Sequence, residues 1–140
     1  MISVRRIIGS VQKAELMVLQ ALCFEGETQV ACDPGGFYLA AYDGKRMVGF
    51  AMAIVSPIFE STIYLIRVGV DPDYRGKGLQ KDMMARIEIW AKQKGFVQCV
   101  SDTANFSIAS MRAFISLGYK PFWPAWAWSL SYSMYWKKQL

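Results

Sequence analysis

Between Val70 and Gln80 the chain reads Val70-Asp-Pro-Asp-Tyr-Arg-Gly-Lys-Gly-Leu-Gln80, and these residue types suit one kind of chemistry, the holding of a phosphate. Gly76 and Gly78 lack the Cβ that would keep another molecule away from the backbone. Arg75, Lys77 and Lys81 bring positive charge. Upstream, Thr62-Ile-Tyr-Leu-Ile-Arg-Val-Gly-Val70 is rich in β-branched and aromatic residues and has the length of a strand, which Asp71-Pro72 breaks. Downstream, Leu79, Met83, Met84, Ile87 and Trp90 recur at helical spacing, with Lys81, Asp82, Arg86 and Glu88 falling mostly on the remaining surface. The glycine loop therefore joins a strand to the start of a helix. The first N–H groups of a helix have no partner within it, and the helix dipole favours negative charge there.

Spacing decides among phosphate-bearing ligands. A Walker loop requires G-x-x-x-x-G-K followed by Ser or Thr, but Gly78 follows Lys77 and the preceding Gly69 lies too far back. A dinucleotide G-x-G-x-x-G requires a third glycine where Lys81 stands. What Val70-x-Pro72-x-Tyr74-Arg75-Gly76-x-Gly78 resembles is the acetyl-CoA pyrophosphate loop of the GNAT superfamily of N-acetyltransferases. The core signature of that loop is Arg or Gln, two residues, Gly, one residue, then Gly or Ala. Arg75 and Gly78 fit it, while Gln80 departs from it with a side chain that must turn away from the phosphates. A second stretch, Ser107-Ile-Ala-Ser110-Met-Arg112-Ala-Phe114-Ile-Ser-Leu-Gly118-Tyr119, is similar to the family's closing helix with its Gly-Phe or Gly-Tyr end. It departs twice: Ser107 stands where many relatives have Asn, with Asn105 two residues earlier, and Phe114 stands where many have the tyrosine that protonates the leaving thiolate.

Composition narrows the chemistry further. A chain of 140 residues predicts one domain, 1–140, with enough core to stand without staples. Lys plus Arg number 16 against 11 Asp plus Glu, a net +5 that suits an anionic ligand; the charges are spread along the chain, which disfavours a nucleic-acid arm. Histidine is absent, which excludes a Ser-His-Asp triad, a Cys-His pair and any histidine metal ligand within the chain. Cys23, Cys32 and Cys99 form no C-x-x-C, so no metal is expected, and reduced thiols in a cytoplasm fit best. No signal-like apolar run opens the sequence and no stretch approaches the length of a membrane span.

Taken in order, residues 2–8 predict a strand, and Gly9-Ser10 offers an N-cap to a helix packed through Val11, Leu16, Leu19, Ala21 and Leu22. Residues 24–36 lose the pattern and predict a loop. Residues 37–42 and 46–55 are two strands of an antiparallel hairpin turning at Asp43-Gly44-Lys45. The central strand, glycine loop and helix follow, the helix closing at Lys94-Gly95; residues 96–101 are a strand, and Ala109, Met111, Phe114, Ile115 and Leu117 mark a helix closing at Gly118. In the tail Trp126, Trp128, Leu130, Tyr132, Met134 and Trp136 alternate with Ala127, Ser129, Ser131, Ser133 and Tyr135, predicting a last strand with a large apolar face. That face is expected to pack on a helix, or else to form a substrate cage or pair across a homodimer.

The resemblance implies an α+β fold, a central, mostly antiparallel mixed sheet of six to seven strands with helices on both faces, and direct acetyl transfer from acetyl-CoA to a primary amine of a small molecule or protein. It implies that the backbone at Val68 meets the acetyl carbonyl, that Val70 pairs with the pantetheine arm, and that pyrophosphate lies on the N–H groups of Arg75, Gly76, Lys77, Gly78, Leu79 and Gln80. Ser107 and Arg112 are its further CoA contacts. With no histidine, carboxylates are the candidate bases: Glu60 before the central strand, or Glu25, Glu27 and Asp33 in the long loop. Tyr119, Tyr132 and Tyr135 are the candidate acids in place of Phe114, and Arg67 either enters the cleft or caps the sheet edge. A CoA-binding module without catalysis and a basic nucleic-acid-binding domain are the rival readings.

Overall fold

A computed structural model describes residues 1–140. Strands β1 (Ile2–Arg6), β2 (Phe37–Asp43), β3 (Arg46–Val55), β4 (Thr62–Val70), β5 (Gln98–Ala104), β6 (Lys120–Phe122) and β7 (Ser133–Gln139) form one sheet in the order β1-β2-β3-β4-β5-β7-β6. Every pairing is antiparallel except β4 with β5. The helices are α1 (Ser10–Cys23), α2 (Leu79–Gln93) and α3 (Ile108–Ser116), and a 3-10 turn covers Pro72–Tyr74. The expected mixed sheet with helices on both faces is present.

Period-two alternation divides the strands' apolar residues between two cores. On one face Leu39, Ala41, Ala51, Ala53, Ile63 and Leu65 pack with Met83, Met84 and Ile87 of α2 and Phe114 of α3. On the other Tyr38, Ala40, Phe50 and Met52 pack with Leu16 and Leu19 of α1. The hairpin joining β2 to β3 closes at Asp43↔Arg46 around Gly44, whose φ of 61° a two-residue turn requires.

Four expectations are corrected. The tail strand begins at Ser133, not at residue 126, because its pairing with β5 ends at Ala104↔Ser133 and its pairing with the short β6 at Phe122↔Tyr135; residues 123–132 are an irregular connection despite their alternation. β7 has β5 on one edge and β6 on the other, so it offers no edge to a second copy. In α1, Val11 and Leu22 are exposed and the polar Gln20 is buried in their stead, and the helix starts on a Gly9 cap with no side-chain bond. Glu88 is buried rather than solvated, its charge met by Lys138 of β7.

Candidate active site

The parallel pairing of β4 with β5 stops at Leu65↔Ser101, where the Ser101 hydroxyl donates to the Leu65 carbonyl at 2.7 Å. Beyond that point the strands part. β5 continues beside β7 as far as Ala104, and β4 continues beside β3 with a bulge at Ile66, where Met52 pairs with Arg67 and Ala53 with Leu65. The Asp71 N–H donates to the Val48 carbonyl at 2.8 Å. Bonding direction alternates along an antiparallel pair, so Gly69 and Asp71 face β3 while the peptide groups of Val68 and Val70 face the gap. The Val70 carbonyl takes a bond from Arg75 Nε at 3.1 Å, whereas no strand pairs with Val68 across the gap.

Above the gap the glycine loop is held from below. Asp71, 5% exposed, accepts from the Asp73 N–H at 2.9 Å and from Arg46 at 2.8 Å, and the Tyr74 hydroxyl reaches Asp43 at 2.6 Å. Gly76 and Gly78 adopt φ of 79° and 78°, left-handed values that favour glycine, with open space where a Cβ would sit. Gly78 also caps α2 without a side-chain bond, leaving the helix's first N–H groups free.

A cleft of about 620 Å³ lies on this loop. Val68, Val70, Arg75, Gly76, Gly78, Leu79, Gln80, Ser107 and Arg112 all line it, as do Lys81 and Cys23. Gln80 turns aside as its length demands, donating to the Ser110 hydroxyl of α3 at 3.2 Å. Lys77 stays outside, its ammonium drawn over the Tyr74 ring at 5.0 Å. The charged side chains here are cations only: Arg75, Lys81 and Arg112. Burial pushes the Cys23 thiol up against the opposing pull of the Arg75 guanidinium beside it.

A second cleft of about 520 Å³ shares Phe24, Val68, Gln80, Ser107 and Ser110 with the first and runs through the fork to the α1 face. Its charged residues are Glu27, Asp102 and Arg67. Arg67 is tied down, donating to Gln20 Oε1 at 2.7 Å and to the Thr28 carbonyl at 2.8 Å, pairing with Glu27 at 3.7 Å and lying over the Phe24 ring. The fully buried Gln20 amide also exchanges two bonds with the Val30 backbone, at 2.8 and 3.0 Å, fixing the long loop as a wall of the cleft. Asp102, one residue past the fork, accepts from the Tyr64 hydroxyl at 2.6 Å, Trp128 Nε1 at 2.9 Å and the Ser129 hydroxyl at 3.2 Å. Burial, then the Asp102 charge, pushes the Tyr64 phenol up, so it stays a donor.

Several expected site residues lie elsewhere. Glu60 is exposed in the turn before β4, at the opposite end of that strand from Val68, and lines neither cleft. Tyr119 is buried against Phe114 in the α2-side core and lines neither cleft, and burial raises its phenol far above the usual range. Glu25 and Asp33 line neither cleft, and the buried Tyr135 hydroxyl is engaged by the Ser129 N–H. Tyr132 does line the fork. Sequence reasoning missed Asp102 because the strand was expected to end at Ser101; its one signal is a carboxylate directly after the strand residues Cys99-Val100-Ser101, where an acid needs a partner.

The sequence pattern of the acetyltransferase (GNAT) family matches residues 12–119. The chain belongs to this GNAT family. Human N-acetyltransferase 8B is 28% identical to it over 100 residues, covering 66% of this chain and 44% of that protein, so the GNAT chain here spans under half the length of that relative. Among solved structures, the ribosomal-protein-S18-alanine N-acetyltransferase of Escherichia coli superposes with a TM-score of 0.81 at 12% identity, covering 99% of this chain and 94% of that one. The PaiA N-acetyltransferase of Thermoplasma acidophilum, solved with coenzyme A, gives 0.73 at 14% identity and covers 99% of each. At these identities the likeness is one of GNAT fold. No helix in the chain is long and apolar enough to cross a membrane.

Proposed function

We propose that this protein is an acetyl-CoA-dependent N-acetyltransferase that passes the acetyl group directly to a primary amine. The observation that carries the reading is the meeting, in one trough, of a cation-only glycine loop with a strand edge whose Val68 peptide faces an open fork. Acetyl-CoA, when bound, supplies an activated acyl group on a thiol leaving group. The free N–H groups at the start of α2, with Arg75, Lys81 and Arg112, match its pyrophosphate in charge. The Val68 N–H is a donor aimed where negative charge develops on the carbonyl oxygen, and the Val70 peptide gives an extended molecule a strand edge to lie along.

On the fork side Asp102 takes the part first sought in Glu60. An alkylamine of pKa about 10.4 must shed a proton before it attacks, and Asp102 is a carboxylate at the fork, oriented by three donors, that binds the ammonium and accepts or relays that proton. A thiol of pKa about 8.5 leaves without a strong acid beside it, which makes Phe114 compatible with turnover. Cys23 keeps its proton at neutral pH, so transfer in one ternary complex is favoured over a cysteine acyl intermediate.

Calorimetric titration with acetyl-CoA and CoA, repeated on Gly78→Glu, is the test. Micromolar binding abolished in the variant, together with thiol release in the presence of amines, is the expected result. Binding without turnover on any amine would leave a CoA-binding module, and no binding at all would remove the reading.

A further inference from the structure

We propose that the acceptor is a primary monoamine bearing an aromatic or bulky apolar group, which deepens the transferase reading and rests on it. The fork cleft shares Tyr64 with a side pocket of about 390 Å³, a volume suited to part of a small molecule. Ile58, Phe59, Val100, Trp126 and Trp128 supply its walls.

The Tyr64 and Trp128 donors and the lone pairs of Ser56 in this pocket are already engaged. Tyr64 aims its hydroxyl, and Trp128 its ring N–H, at Asp102. The Ser56 hydroxyl accepts the N–H groups of Ile58 and Phe59 at 3.2 and 3.0 Å, which closes the turn between β3 and β4. A hydroxylated ring placed there would lose its water for few partners and a second ammonium would meet ring faces but no carboxylate, whereas an apolar group would gain by leaving water. Trp126 remains 67% exposed at the pocket, apolar surface with no partner in the fold.

The same two side chains join this pocket to the charge that would hold the amine. Tyr64 and Trp128 present rings to the pocket and donors to Asp102, so an apolar group and an ammonium are recognised at the two ends of one pair of residues. Three donors leave the Asp102 carboxylate room for a further cationic one. An acceptor carboxylate finds no free cation at the fork, because Arg67 is committed to Glu27, Gln20 and Thr28. One ammonium and one apolar group are the features the surroundings match.

The test compares 2-phenylethylamine, ethanolamine and spermidine as acceptors with saturating acetyl-CoA, and titrates each into the CoA-loaded protein. A kcat/KM for 2-phenylethylamine at least about tenfold above ethanolamine is expected, the least that a filled apolar pocket confers. Trp126→Ala should remove most of that preference while acetyl-CoA affinity, the check on folding, stays unchanged. Equal use of the three amines, preference for spermidine, or no binding of 2-phenylethylamine to the CoA-loaded protein would overturn the acceptor class and leave cofactor binding standing. Failure to bind acetyl-CoA would instead remove the transferase reading, and this acceptor with it.

Discussion

The loop half of the cleft is made largely by one contiguous stretch, residues 68–81, with α3 laid across it; the fork half draws on the long loop after α1, on β4 and β5, on the start of α3 and on the connection before β7. The first carries three cations and no acid, the second two carboxylates and one committed cation. A backbone cradle that binds phosphate needs glycine at fixed places and a helix behind it, so its form is set by its own geometry. A surface that chooses among amines is set by side chains arriving from distant parts of the chain, and each can change without disturbing the cradle. The contrast predicts that lesions in the two halves separate cleanly.

The largest effect is expected from Gly78→Glu, which puts a side chain on a left-handed residue and a negative charge at the proposed phosphate site; acetyl-CoA affinity should fall by more than about 100-fold by calorimetry. Asp102→Asn should lower kcat by about 100-fold, the usual scale for a lost proton acceptor, with acetyl-CoA affinity unchanged. A matching loss of cofactor binding in that variant would break the division between the halves. Gln20→Ala leaves the Val30 backbone and Arg67 without buried partners, so a thermal melt should show a loss of about 1–3 kcal/mol, with a raised acceptor KM and an intact cofactor site. Arg112→Ala should weaken acetyl-CoA by about tenfold, the worth of one charge-assisted hydrogen bond, and less at high salt. Lys77→Ala should change affinity by under about twofold, since an exposed charge outside the cleft is screened.

The same contrast explains what could be read from the sequence. The glycine loop was legible because its constraints are local: Asp71-Pro72 ends β4, Gly76 and Gly78 supply positive φ, and Leu79, Met83 and Ile87 declare α2 at once. The fork was only half legible. Val68 and Val70 were implied by the family resemblance and both line the cleft, but Asp102 looks like an ordinary strand residue until β4 parts from it and Tyr64, Trp128 and Ser129 converge on its carboxylate. Glu60 was sought near Val68 because both adjoin β4, yet a strand rising about 3.3 Å per residue carries its two ends far apart. The Trp-rich tail failed for a different reason: alternation reports a strand only where a partner exists, and neither β5, which ends at Ala104, nor the three-residue β6 extends alongside it.

An open strand edge is ordinarily a hazard, a row of unpaired peptide groups inviting another chain to add itself. The fork places such an edge in the interior of the sheet, closed at its base by the Ser101–Leu65 bond and bounded by β3 on one side and by β5 and β7 on the other. A molecule as thin as a single extended arm can thread that slot, but a β-strand carrying side chains on both faces meets the sheet's own layers first. The chain thus keeps main-chain hydrogen-bonding capacity available to a ligand without exposing it to self-association.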